Sequence, residues 1–222
     1  MSLVREEPLL GRSRAHSAGE QTADALVHGI GILAGIAGAM FITRLSSDNP
    51  QKLVAIAIYA GGLLAMLSAS AAYNVGYNTR FRDLFRRFDH SAIFLMIAGT
   101  YTPFTTSFFT GITAFSVTTL IWALSLGGIW VKVYRPLMFE RYSVLLYVAL
   151  SWIALLVIGP LMVDMPTFTT MALLGGGVLY TGGITFHLWE RLPFQNAIWH
   201  LFVLAAAFCH YIAVLNTVIM PT

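Results

Sequence analysis

From Ser91 to Val131 the chain runs 41 residues without a charged side chain. A helix that crosses the hydrocarbon layer of a membrane needs about 20 residues. The stretch is therefore long enough for two crossings laid end to end. Thr110-Gly111, following Pro103 and the hydroxyl-rich 105–107, marks the turn between them. The same alternation of long apolar runs with turn and charge signals places spans near 24–44, 52–76, 89–108, 112–131, 142–162, 167–187 and 196–218. Asp48-Asn49-Pro50, Arg135-Pro136 and Asp164-Met165-Pro166 punctuate three of the remaining connections.

With 57% hydrophobic and 10% charged side chains, the 222 residues cannot clothe a water-soluble globule in polar surface. Soluble domains carry about a quarter charged residues. The expected fold is an all-α, seven-transmembrane helix bundle. A soluble enzyme, a coiled coil and a disordered chain are excluded. A β-barrel is excluded as well, because its strands would read as segments of about ten alternating residues. Residues 1–22 read as a polar tail and 23–222 as one membrane domain. No cleavable secretory segment is expected, since no basic stretch leads into an apolar run with a small-residue cleavage site.

Basic residues set the orientation. Arg5, Arg12 and Arg14 precede the first span, and Arg80, Arg82, Arg86 and Arg87 separate the second from the third. Lys132, Arg135 and Arg141 follow the fourth, and Arg191 follows the sixth. Only Arg44 and Lys52 fall on the opposite side. Under the positive-inside rule this places the N-terminus in the cytoplasm and the C-terminus outside. Aromatic residues at segment ends (Tyr77, Phe81, Phe104, Phe108, Phe109, Trp130, Tyr134, Trp189) are expected as interfacial anchors. Membrane lipids are the expected partners, and the four arginines before the third span suit anionic inner-leaflet headgroups. Nucleic acid is not expected, because the cationic residues sit in short topogenic loops.

Polar side chains inside spans are costly and face the bundle interior. At a rise of 1.5 Å per residue, His28, Asn74, Asp89, His90, Asn196 and His200 all fall within about 13 Å of the cytoplasmic interface. Ser70 stands one turn above Asn74, and His200 one turn above Asn196. Four helices thus aim polar groups at one depth, which describes either a buried site or a structural hydrogen-bond network. For Asp89 the plainer expectation is an ion pair with Arg86 or Arg87. His210 lies too far along its helix to join such a site and is expected to bond a neighbouring helix. His187 is expected to be wetted at the interface, and His16 lies in the tail. The single cysteine, Cys209, rules out an internal disulfide and a cysteine zinc cluster. Glycines crowd the first and sixth spans and suit close helix packing.

Three segments carry a resemblance: EQTADALVHGIG from Glu20, FDHSAIFLMIAGTYTPF from Phe88 and LPFQNAIWHLFVLAAAFCH from Leu192. They resemble the haemolysin III family, the bacterial branch of the progestin and adiponectin receptor superfamily, more distantly related to alkaline ceramidases. The resemblance extends over essentially the whole chain after residue 18 and makes a bacterial cytoplasmic (inner) membrane the expected location. It implies a zinc site near the cytoplasmic face, built from a serine-x-x-x-histidine pattern at the end of the second span and a histidine-x-x-x-histidine pair opening the seventh. An aspartate opening the third span would hold the metal-bound water.

Here Ser70, Asp89 and His200 match, whereas Asn74 and Asn196 replace two of the three histidines. An amide oxygen is a poor substitute for imidazole on zinc, so no cofactor is expected at the family position and zinc there is disfavoured. A rearranged set drawn from His28, His90, Asp89 and His200 is the alternative. Catalytic roles, if chemistry occurs, fall to Asp89, His200 and Ser70, and His28, Asn74, His90 and Asn196 complete the polar pocket. The leading functional expectation is membrane-lipid homeostasis or sensing around a degenerate zinc site. The alternatives are a zinc-dependent intramembrane hydrolase of a lipid amide, and a transporter or pore. No G-x-S-x-G elbow or H-E-x-x-H helix offers another chemistry.

Overall fold

A computed structural model describes residues 17–76, 79–135, 143–158 and 165–219. Seven helices follow in order: α1 (Ala18–Leu45), α2 (Pro50–Val75), α3 (Arg82–Phe108), α4 (Gly111–Tyr134), α5 (Ser143–Ile158), α6 (Thr167–Leu188) and α7 (Gln195–Ile219). Arg5, Arg12, Arg14, His16, Tyr77, Pro136, Arg141 and Asp164 lie outside the described residues.

Local chemistry sets the boundaries. Ser17 and Glu20 form a capping box that opens α1. The Asn49 side chain accepts from the backbone N–H groups of Gln51 and Lys52, with Pro50 next to it in the first turn of α2. Between α3 and α4 the chain turns at Thr110-Gly111, where Gly111 takes a φ of 57°, a left-handed conformation that side chains with a Cβ resist. This is the turn expected in the charge-free run.

Five of the helices, α1, α2, α4, α6 and α7, are long and apolar enough to cross a membrane. α3 has the length, but its first turns carry Arg82, Asp83, Arg86, Arg87 and Asp89. α5 is a shorter apolar helix over its described residues.

The helices are inside-out relative to those of soluble proteins. The buried face of α1 runs Glu20, Asp24, His28, Gly31, Gly35, Ala39 and Ile42, at steps of three and four residues. Its outer face presents Leu26, Ile30, Leu33, Met40 and Phe41. Polar groups inside and large apolar groups outside make sense only where the surrounding medium is apolar.

α3 is the centre of the bundle and touches α2, α4, α5 and α7. α1 packs between α2 and α7, and α6 packs on α7. Glycine permits the closest approaches. A Cβ at Gly62 would meet the backbone of Leu95 at 3.3 Å, and one at Gly35 would meet Leu67 at 2.6 Å. Tyrosines tie the outer helices to the core: Tyr101 donates to the Ser151 carbonyl at 2.6 Å, and Tyr211 to the Gly38 carbonyl at 3.0 Å.

Trp130, Tyr134, Trp189 and Phe81 are exposed near helix ends, as anchors would be. Phe104 and Phe109 are not anchors. Both are buried in the core cluster, with Phe108 packed against it. Phe104 follows Pro103, which is itself fully buried, so α3 keeps its apolar core face up to its last turn.

Candidate functional site

The start of α1, the end of α2, the start of α3, the end of α6 and the start of α7 meet at one end of the bundle. Contacts between elements establish this. Arg87 Nη1 donates to the Val133 carbonyl at 3.2 Å, joining the start of α3 to the end of α4. Gln195 Nε2 donates to the His187 carbonyl at 2.8 Å, joining α7 to α6. The backbone N–H of Phe194 donates to Glu20 Oε1 at 2.8 Å, joining the approach to α7 to the start of α1.

Within that end, Asp24, His28 and His200 converge. Asp24 and His28 are one turn apart on the buried stripe of α1 and are each 6% exposed. His200 comes from the second turn of α7 and is half-buried. His200 Nδ1–H donates to Asp24 Oδ1 over 2.5 Å, and Asp24 Oδ2 lies 3.6 Å from His28 Nε2. The two imidazole rings are 4.3 Å apart between centroids, tilted by 52°. One ligand atom from each of the three lies within 4.8 Å of the others.

Ligands on zinc at 2.0–2.1 Å stand roughly 3.3 Å apart across a tetrahedral angle. The trio's ligand atoms, within 4.8 Å of one another, are of that order. His28 Nε2 is buried with no hydrogen-bond partner among the described residues, the Asp24 carboxylate standing just beyond bonding distance at 3.6 Å, and an incompletely satisfied imidazole nitrogen inside a membrane bundle is costly. Two imidazoles and one carboxylate are an established donor set for zinc, so this trio fits the metal that the sequence resemblance implies.

The residues expected at the family position behave differently. Asn74 Nδ2 donates to the Ser70 carbonyl on its own helix at 2.9 Å. Asn196 is half-buried on the first turn of α7. Of the two arginines expected beside Asp89, Arg87 donates to the Val133 carbonyl and Arg86 lies 3.7 Å from Asp83. The Asp89 carboxylate has the Ser70 side chain as its hydrogen-bonding neighbour, with His28 nearby. Ser70 and Asp89 therefore join one pocket with the trio. His90 is half-buried, and its carbonyl accepts from Tyr147 at 3.2 Å. His90 does not belong to the group of converging ligand atoms.

Asp24 is the residue the sequence argument passed over as a ligand, and Glu20 is the other acid it left unused. The signal was present: Glu20, Asp24 and His28 recur at a spacing of four where a polar tail meets an apolar run. That spacing puts all three on one helix face.

Two other histidines are accounted for by packing. His210 Nε2 lies 3.2 Å from the Leu173 carbonyl, as expected of a residue bonding a neighbouring helix. His187 is half-buried and packs its ring against Trp199, 5.0 Å between centroids and tilted by 45°.

Comparison with known proteins gives the pocket its context. The haemolysin-III related family profile matches residues 17–211. Hemolysin-3 of Bacillus cereus is 35% identical over 205 residues, covering 91% of this chain and 93% of the relative. A hemolysin-3 homolog of Bacillus subtilis (strain 168) is 31% identical over 198 residues, covering 88% of this chain and 93% of the relative. The human monocyte to macrophage differentiation factor is 29% identical over 204 residues, covering 88% of this chain and 83% of that protein. Matched from the cap of α1 to the last turns of α7, the chain belongs to the haemolysin-III related family, within the progestin and adiponectin receptor superfamily.

Proposed function

We propose that this protein is a seven-crossing protein of the bacterial cytoplasmic membrane that acts in membrane-lipid homeostasis through a relocated metal site. Asp24, His28 and His200 would hold the ion, and the reaction class would be hydrolysis of a lipid amide. The observation that carries this reading is the trio of buried Asp24 and His28 with half-buried His200, whose ligand atoms lie within 4.8 Å of one another. Asn74 and Asn196 abandon two ligand positions implied by the family resemblance, and Asp24 and His28 on α1 supply two others around the retained His200.

A bound zinc ion supplies a Lewis acid and a water that ionises near neutral pH. The protein's own residues do the rest. Ser70 holds the Asp89 carboxylate by a hydrogen bond and leaves it other lone pairs. Asp89 can therefore take a proton from an attacking water and return it to a leaving amine, the ordinary work of a positioned general base. The exposed aromatic and aliphatic residues that ring the bundle bring a lipid substrate to the pocket's depth by partition.

The charge pattern supports the seven crossings and a cytoplasmic N-terminus: eleven basic residues fall on one side and two on the other. α3 is charge-free from Ser91 onward, which leaves a full crossing within its length. Against a pore stands an apolar layer beyond the pocket, where Leu63, Met66 and Leu67 are buried and Leu67 fills the space at Gly35.

A second reading is favoured by one contact. The 2.5 Å bond between His200 and Asp24 satisfies both groups without an ion, so the trio can serve as a polar strap between α1 and α7 in a non-catalytic lipid sensor. Purified protein in lipid nanodiscs separates the two. One zinc per chain, with fatty acid released from amide-linked lipids, supports the hydrolase. Zinc-free protein without turnover supports the sensor and overturns the metal site.

A further inference from the structure

Metal coordination is less tolerant than packing. A ligand displaced by an ångström no longer reaches an ion that demands bonds of about 2.0–2.1 Å. α1 and α7 must therefore be held in register to a fraction of a helical step, and Glu20 is placed to do this.

The Glu20 side chain is 5% exposed. One carboxylate oxygen accepts the backbone N–H of Ser17 at 2.7 Å, which closes the capping box of α1. The other accepts the backbone N–H of Phe194 at 2.8 Å. The same carboxylate thus sits at the N-termini of two helices, where the macrodipoles favour a negative charge. Phe194 has a φ of 58°, and its carbonyl accepts the N–H of Ile198 at 2.9 Å. A left-handed conformation is unfavourable for a residue with a Cβ, and the bond from the Phe194 N–H to Glu20 fastens that backbone.

The depths agree. α1 and α7 both run away from this end. Asp24 and His28 lie four and eight residues beyond Glu20, about 6 and 12 Å along the axis. His200 lies six residues beyond Phe194, about 9 Å. Levelling Glu20 with Phe194 sets His200 midway between its two partners. A slip of one residue on α7 would move His200 by about 1.5 Å and swing it about 100°.

We infer that Glu20 is a positioning residue for the metal centre, its carboxylate tying the approach to α7 onto α1 so that His200 meets Asp24 and His28. The inference rests on the metal-site proposal above. Full-length protein in nanodiscs is titrated with zinc against a chromophoric chelator and with cobalt(II), whose visible absorption reports coordination geometry. Glu20→Gln removes the charge. Glu20→Asp keeps the charge and loses the reach. Phe194→Gly keeps the backbone N–H and removes the strain.

Both Glu20 variants are expected to bind zinc at least tenfold more weakly, with weaker and shifted cobalt bands, and Phe194→Gly to stay within threefold of wild type. Loss of a group that orients a metal ligand costs 10–100-fold elsewhere. If wild type binds zinc and both Glu20 variants match it in affinity and cobalt spectrum, the positioning role is overturned and the metal site stands. If wild type binds neither ion, both fall together. Should Glu20→Gln fail to fold, Glu20→Asp alone decides between these outcomes.

Discussion

Replacing Asp24 by asparagine alters one atom at the centre of the pocket and separates the metal reading from the strap reading. Without metal, the substitution exchanges a charge-assisted hydrogen bond to His200 for a neutral one. Bonds to charged groups contribute about 1.5–3 kcal/mol and neutral ones about 1, so the net loss is about 1 kcal/mol. For a protein of this size that lowers the melting temperature by roughly 2–4 °C. With metal present the loss is larger. Asp24 is the only carboxylate of the trio, and removing a direct ligand should exceed the 10–100-fold typical of outer-shell partners. A hundredfold weakening corresponds to about 2.8 kcal/mol. The assay is zinc competition in nanodiscs, paired with thermal unfolding with and without chelator. Asp24→Asn should lose at least a hundredfold in zinc affinity, and chelator should then no longer change its melting temperature. If wild-type affinity persists in Asp24→Asn, the ion, if held, is held elsewhere, and the reasoning fails.

Chelating the metal from wild type should destabilise it by about 4 kcal/mol when free zinc had stood at a thousand times Kd, measured as the shift in denaturation midpoint; no shift would show an empty or decoupled site. Asn74→His combined with Asn196→His, placed in Asp24→Asn, should recover zinc binding at the histidine positions that the family resemblance implies, counted as bound zinc per chain. Gly176→Ala should cost about 1–3 kcal/mol by overpacking, because a Cβ there would stand 2.3 Å from the His210 ring; Gly175→Ala, with nothing within 4 Å, should be neutral or slightly stabilising in the same unfolding assay. Tyr101→Phe removes the bond to Ser151 and should loosen α5 by about 1 kcal/mol, read as faster hydrogen exchange confined to residues 143–158.

The bundle was legible in the chain because the demand that lipid makes on a helix is written residue by residue. Apolar runs of the required length, the Asn49-Pro50 start and the Thr110-Gly111 turn are local signals, and each marks a boundary that the structure keeps. The polar residues were legible as a set at one depth, since depth is a count along a helix axis. The anchoring role expected of Phe104 and Phe109 was not, because whether an aromatic at a helix end faces lipid or core depends on which neighbour covers it.

The sequence by itself determined that this chain is a helical membrane protein of the haemolysin-III related family, and that it lacks two of the three histidines its resemblance implies. Only the tertiary structure decided that Asp24 and His28 converge on His200, that Asn74 turns back on its own helix, and that Asp89 takes Ser70 as its partner. The reason is rotational. Spacing along one helix gives depth and relative azimuth within that helix, whereas the azimuth of one helix against another is set by close contacts such as Gly62 on Leu95 and Glu20 on Phe194. Those contacts join residues 33 and 174 positions apart, and no local pattern encodes them.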